Sequence, residues 1–158
     1  MYQYAMQGFS DHDHARCETR LAGEAERLCA ARGLRLTPLR RRVLEVLAES
    51  HRAYGAYDVL ERLRAEGVAS QPPSVYRALD FLVAQGFAHR VERLSAFVAC
   101  AQPGRDHDPA FLICRACETV AETPMEPSQT GIGPAARSAG FAVERVCVEG
   151  VGLCPACA

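Results

Sequence analysis

Cys114-x2-Cys117 and Cys154-x2-Cys157 are two tight cysteine pairs separated by the 36 residues from Glu118 to Leu153. They constrain the fold more than any other feature, because each turn supplies two thiolates and one tetrahedral zinc ion can join the turns. The competing reading is two disulfides or free buried thiols. Against it, the first residues, Met1 to Asp13, are polar with no signal-peptide core, and no apolar run is long enough to span a membrane. A cytoplasmic chain is expected, whose eight cysteines stay reduced and are available to metal.

With 158 residues, 49% of them hydrophobic, the chain has material for one ordinary domain or two small ones. Its net charge of −1 averages two unlike halves: residues 1–99 hold 14 Arg against 12 acidic residues, residues 100–158 hold 4 against 7. Arg32, Arg35, Arg40, Arg41 and Arg42 fall close together, and there is no lysine. Arginine suits phosphate and guanine contacts, although an all-arginine set can equally reflect base composition.

Apolar spacing and punctuation predict helices over about 18–32, 38–49, 56–66 and 73–85, ended by Gly33, Gly67 and Gly86 where a glycine follows. Two β-like runs follow, Phe87–Val91 and Ala96–Cys100, joined by a turn at Glu92–Ser95. Helices followed by a hairpin give a winged helix-turn-helix. Residues 101–109 open with a turn-rich break and read as a hinge. Beyond it, strands are expected at 110–114, 119–123 and 141–149, with a short helix near 134–139. The fold class is α+β: a flexible extension (1–17), a winged-helix domain (18–100), the hinge (101–109) and a second domain (110–158) holding the four-cysteine zinc site.

The start of a recognition helix enters the major groove, which makes Ser74, Tyr76 and Arg77 candidates for DNA contact. Arg77 can donate two hydrogen bonds to guanine. Tyr76 either contacts DNA or packs into the core, and Arg77 either reads DNA or pairs with Asp80. Arg35 ahead of the second helix and Tyr57 at the start of the third are further candidates, Tyr57 with core packing as its alternative.

Arg35-Leu-Thr-Pro-Leu-Arg, Ala56-Tyr57-Asp58-Val-Leu, Pro72-Pro-Ser-Val-Tyr-Arg-Ala-Leu-Asp-Phe-Leu and the paired knuckles together closely resemble the ferric uptake regulator superfamily. The stretch from Pro72 to His89 is most similar to its zinc uptake regulator branch. The resemblance implies a homodimeric, metal-dependent repressor of operator DNA, with a C-terminal α/β dimerisation domain. It also implies two zinc roles, structural at the four cysteines and regulatory elsewhere. His89, Cys100, His107 and Glu122 stand at the matching regulatory positions, and their mixed imidazole, thiolate and carboxylate set suits zinc. Asp106 and Asp108 are alternatives to Glu122. The histidine-rich run of iron-sensing relatives is reduced here to Asp106-His107-Asp108.

The expected function is a zinc-responsive repressor, not an enzyme, probed against two rivals: an iron, manganese or peroxide sensor, and a zinc-storing module that no longer reads DNA. Both metal sets are filled by protein ligands, which leaves no open position for catalysis. Glu61 and Arg64 are candidates for contacts between adjacent dimers. His12, His14 and Cys17 form a further metal-capable run, for which an extension is the competing reading. Cys29 and Cys147 are expected to pack internally, and His51 carries no assignment.

Overall fold

Capping and proline chemistry set the helices. The computed structural model describes residues 7–9, 13–68, 70–125 and 130–158. After a single 3-10 turn (Gln7–Phe9), α1 runs His14–Ala31, α2 Pro38–Ala48, α3 Ala56–Ala65 and α4 Pro72–Ala84. The Asp13 carboxylate accepts the Ala15 N–H and the Thr37 hydroxyl accepts the Arg40 N–H, so each helix start has one of its free donors met. Pro38 and Pro72 occupy first-turn positions where a missing N–H costs nothing. Gly86 turns the chain sharply out of α4 with φ 75°, a left-handed value that a side chain disfavours, and the Phe87 N–H then closes back on the Leu82 carbonyl at 2.8 Å. That exit sets the direction of the next strand, which carries His89.

Leu21, Ala25, Leu44, Leu47, Val59, Leu60, Leu63, Val75, Leu79 and Leu82 from all four helices close over Phe87, Ala88 and Phe97 to form the main core. Strands β1 (Ala88–Val91) and β2 (Ala96–Ala99) pair antiparallel as the wing, turning through Ser95 in a left-handed conformation. A second sheet has the order β4-β3-β5, with β3 (Pro109–Cys114) antiparallel to β4 (Val120–Pro124) and parallel to β5 (Val148–Gly152). Helix α5 (Ile132–Ser138) lies in the connection from β4 to β5.

The two sheets are stitched together. A second apolar cluster joins Val91 and Val98 of the wing to Phe111, Ile113 and Val120 of the second sheet, with Ala53 against it. Residues 51–54 bridge the same gap through the backbone. Tyr54 exchanges two hydrogen bonds with Phe97 (2.9 and 2.8 Å), and the His51 carbonyl accepts the Val120 N–H at 2.7 Å. The register then puts Glu122, Phe111 and Glu149 side by side across the sheet, and neighbours in register share a face. The Glu149 carboxylate accepts the Glu92 and Arg93 N–H groups at the wing turn (2.6 and 3.0 Å).

Three features differ from the sequence reading. α1 starts at His14, so residues 14–17 are helical and not part of an extension reaching to 17. The strand expected over 141–149 forms only from Val148, because β3 offers a ladder partner from that point on; residues 141–147 run unpaired, with Phe141 68% exposed. Cys147 is consequently exposed and not packed, whereas Cys29 lies in the main core as expected. His12 lies outside the described residues.

The arginine cluster is largely structural. Arg42 sits among Glu18, Glu45, Glu49 and Glu66, the last held at 2.7 Å by two guanidinium nitrogens. Arg41 pairs with Glu26 and Glu45, and Arg62 joins Glu49 and Glu66. Arg42 holds the Glu66 carboxyl below its ordinary range by hydrogen bonding and charge. A carboxyl shifted down contributes stability above its unfolded pKa of about 4.3, and that contribution fades as pH falls through the folded value. Because solvent screens these partly exposed pairs, Arg42→Met should lower stability by about 1 kcal/mol or less near neutral pH. In urea unfolding followed by circular dichroism, the deficit should shrink as pH drops below about 4.

Candidate metal centres and DNA-reading face

Each knuckle is a tight turn. The Glu118 N–H returns to the Cys114 carbonyl and the Cys157 and Ala158 N–H groups to the Cys154 carbonyl, all at 2.9 Å. Glu118 takes a left-handed φ of 61° to make the first turn. The knuckles meet because β3 ends at Cys114 and its parallel neighbour β5 ends two residues before Cys154. The four sulfurs lie within 4.8 Å of one another, with Cys117 Sγ and Cys154 Sγ 3.7 Å apart. Thiolates bound to one tetrahedral zinc at 2.3 Å would stand about 3.8 Å apart, so the spacing fits an ion and not a bridge. The electrostatics agree. Backbone N–H groups of Cys117 and Cys154 pull Cys114 down to about 6, and the Thr119 hydroxyl lowers Cys117, whereas Cys154 and Cys117 push Cys157 up to about 12. The set resists carrying its full negative charge without a cation.

The second set is assembled from both sheets. His89 lies in β1, Cys100 follows β2 with its N–H on the Phe87 carbonyl, His107 sits in the loop before β3, and Glu122 lies in β4. Their ligand atoms also lie within 4.8 Å of one another, and the grouping includes neither Asp106 nor Asp108. His107 Nε2 is 2.6 Å from Glu122 Oε1 and 3.7 Å from Cys100 Sγ; His89 Nε2 is 3.3 Å from Glu122 Oε1. Despite that approach, the buried His89 Nε2 has no hydrogen-bond partner among the described residues. A buried imidazole nitrogen with no hydrogen bond of its own, aimed at a carboxylate and a thiol, fits a cation-binding ligand.

Outer contacts orient these ligands. The Arg105 carbonyl accepts His107 Nδ1–H at 2.8 Å, which turns Nε2 inward, and the Ala101 N–H occupies Glu122 Oε2 at 2.8 Å, leaving Oε1 for the centre. Burial pulls His89 down, but Cys100 and Glu122 more than offset this and hold it at about 9. Cys100 and Glu122 raise His107 to about 11. Burial pushes Glu122 up, yet the two imidazoles bring it to about 2. Burial likewise opposes the Cys100 thiolate, and His107 and His89 lower its pKa. Two imidazoles, one thiol and one carboxylate thus converge with the donor set that could hold a zinc ion.

Comparison with known proteins bears on this arrangement. The model of the ferric uptake regulator family matches residues 31–149. The chain belongs to that family. Among the relatives of this family member is the zinc uptake regulation protein of Escherichia coli (strain K12), 41% identical over 140 residues that cover 87% of this chain and 81% of the relative. Among solved structures, a zinc uptake regulator complexed with zinc and DNA superposes with a TM-score of 0.82 at 39% identity, covering 88% of this chain and 93% of that one. The holo form of XcZur gives 0.78, covering 87% and 96%, and its apo form 0.53, covering 90% and 98%, both at 39% identity. At equal identity, the chain superposes better on the holo form than on the apo form.

Of the five residues expected to meet DNA, this ferric uptake regulator family member exposes four. Tyr57 and Tyr76 are 65% and 54% exposed, which removes the core-packing alternative for both. Arg35 and Arg77 are exposed, with no ion pair among the described residues, so Arg77 is not engaged by Asp80. Ser74 is half-buried in the first turn of α4. A contact not anticipated from the sequence is Arg40, whose guanidinium stacks 3.7 Å over the Phe81 ring of α4 while Nη1 donates to the Arg35 carbonyl at 2.8 Å. It ties the turn bearing Arg35 to the recognition helix. No spacing in the sequence signals it, nor the Glu149 contact with the wing.

Replacing one knuckle ligand leaves three thiolates with no closed tetrahedron. Cys114→Ser should halve the zinc content and expose residues 110–158 to protease, as measured by metal analysis and limited proteolysis. Full zinc content with wild-type protease resistance would contradict a structural role.

Proposed function

We propose that this chain is a zinc-responsive transcriptional repressor that binds operator DNA as a metal-loaded homodimer and controls zinc uptake genes. The observation that carries the reading is the meeting of His89 and Cys100, from the wing, with His107 and Glu122, from beyond residue 100, at one buried point. Relatives that are zinc uptake regulators, one of them solved with zinc and DNA, support it. Cys100 is the residue that argues against an iron or manganese sensor, since a thiolate is a soft ligand that favours zinc.

Zinc bound at the sensor set supplies a positive charge that holds two imidazoles, a thiolate and a carboxylate in one geometry. His89 and Cys100 then fix the wing against β4, while Glu122 and Glu149 hold it from the other side. Residues 101–109 act as the hinge between a DNA-binding part, 18–100, and a dimerisation part, 110–158. With that hinge set, the two recognition helices of a dimer match successive major grooves. Arg35, Tyr57, Ser74, Tyr76 and Arg77 form the DNA-reading face. The structural zinc of Cys114, Cys117, Cys154 and Cys157 maintains the fold and does not switch it.

The dimer contact is assigned to the apolar surface of the second part. Leu112, Phe141, Val143, Val151 and Leu153 are each 39–68% exposed there, and exposed apolar side chains of this kind suit a partner surface. Glu61 and Arg64, exposed on α3, are assigned to contacts between neighbouring dimers on DNA. No described helix is long and apolar enough to cross a membrane, and the cytoplasm is the proposed location.

Cys100→Ala tests the switch. It should yield a folded dimer that keeps the structural zinc and loses at least about 100-fold in zinc-dependent operator affinity; unchanged zinc-dependent binding in a mobility-shift titration would overturn the assignment. Arg77→Ala separates a repressor from a zinc store. Operator affinity should fall about 10- to 100-fold with zinc content intact, and an unaltered affinity would favour the store.

A further inference from the structure

The wing turn is held by a side chain that belongs to neither wing strand. Between β1 and β2, Glu92–Leu94 make one 3-10 turn, closed by the Ser95 N–H on the Glu92 carbonyl at 3.1 Å. The first N–H groups of a helical turn lack partners inside it, and Val91 at the cap position has no side-chain acceptor to offer. Glu149 of β5 meets that need from 57 residues away. One carboxylate oxygen accepts the Glu92 N–H at 2.6 Å and the other accepts the Arg93 N–H at 3.0 Å. The Glu92 carboxylate is paired separately, 3.3 Å from Arg90 Nε. The grip is therefore on the backbone of the turn and does not use its side chains.

This grip is one end of a row. Glu122, Phe111 and Glu149 are register neighbours across β4-β3-β5. At the Glu122 end the row meets His89 of β1, and at the Glu149 end it meets Glu92, just past the end of the same strand. Between them the Phe111 ring stands 5.8 Å from the His89 ring, and Val91 and Val98 pack with Phe111 in the second apolar cluster. β1 is thus attached to the second sheet on both sides of Val91. One attachment is built from sensor ligands. The other uses no metal ligand and consists of a carboxylate against two N–H donors, a charge-assisted pair of hydrogen bonds.

We propose that Glu149 is a positioning residue for zinc sensing: it holds the wing where His89 and Cys100 meet His107 and Glu122, and so sets the free-zinc concentration at which operator DNA is bound. The proposal rests on the sensor assignment above. Zinc takes all four ligands only in the arrangement where they converge, so its apparent affinity scales with the fraction of chains already in that arrangement. A contact that favours the arrangement without touching the ion raises that fraction. Losing the contact weakens zinc binding at the sensor set, is made good by more zinc, and leaves the four-cysteine site and the DNA-reading face as they were. That pattern separates positioning from a general part in holding the fold.

The test is operator binding by the full-length protein against buffered free zinc, with bound metal counted, for wild type, Glu149→Ala, Glu149→Gln and Glu92→Ala. Glu149→Ala should need about tenfold more free zinc at the midpoint, for the loss of two hydrogen bonds to a charged acceptor. It should still reach wild-type operator affinity at saturating zinc, with both zinc sites filled. Glu149→Gln keeps one acceptor oxygen and should move the midpoint the same way by less. Glu92→Ala removes a neighbouring charge but leaves the gripped N–H, and should keep the wild-type midpoint. A wild-type midpoint in Glu149→Ala would overturn the proposal. So would a lower affinity at saturating zinc with the midpoint unmoved, which would place Glu149 in the fold or the DNA face. A shift in Glu92→Ala as large as that in Glu149→Ala would also overturn it, because charge and not the grip would then be the cause. Failure of the sensor assignment reads differently: operator binding by the wild-type protein would itself not follow uptake of the second zinc.

Discussion

Glu122 is an ionised carboxylate whose side chain is only 7% exposed, and a charge so enclosed is tolerable only if partners meet it. Its partners come from places remote in sequence. His89 arrives on the wing, His107 on the loop, and the Ala101 N–H covers the second oxygen. Removing any of them leaves a buried charge under-compensated, so these contacts hold the wing, the loop and β4 together. The Cys100 thiolate shares that field. On the proposed function, four groups of mixed charge at one point make this arrangement sensitive to whether a divalent cation is there.

The rest of the contact between the two sheets gives this sensitivity its reach. Phe111 lies beside Glu122 in the register, 5.8 Å from the His89 ring, and Glu149 lies on its other side with the wing turn on its carboxylate. One row across the sheet thus holds the wing by an ionic, an apolar and a hydrogen-bonded contact. Because β1 leaves α4 through Gly86, the orientation of the wing is also that of the recognition helix. On the proposed function, a change at the metal set is passed on through these packed elements.

Much of this was legible in the chain. Cysteine pairs two residues apart specify a metal turn by their spacing alone, and the four helices follow from apolar periods bounded by Thr37-Pro38, Pro72-Pro73 and glycines. The sensor residues were legible only through family resemblance, since one histidine in a strand and one cysteine at its end carry no periodic signal. What stayed hidden is what depends on tertiary partners. Residues 141–147 have strand-like composition but no ladder neighbour. Arg41 and Arg42 look like a DNA patch and are consumed by Glu26, Glu45, Glu49 and Glu66. Glu149 resembles any acid in a strand until the register sets it against the wing turn.

The central claim is that the sensor set, and not the four-cysteine site, governs DNA binding. A titration of operator binding against buffered free zinc, with bound metal counted at each point, tests it most directly. Operator affinity should stay low while only the four-cysteine site is filled and rise steeply as the second zinc per chain is taken up. Full affinity with a single zinc per chain would contradict the account.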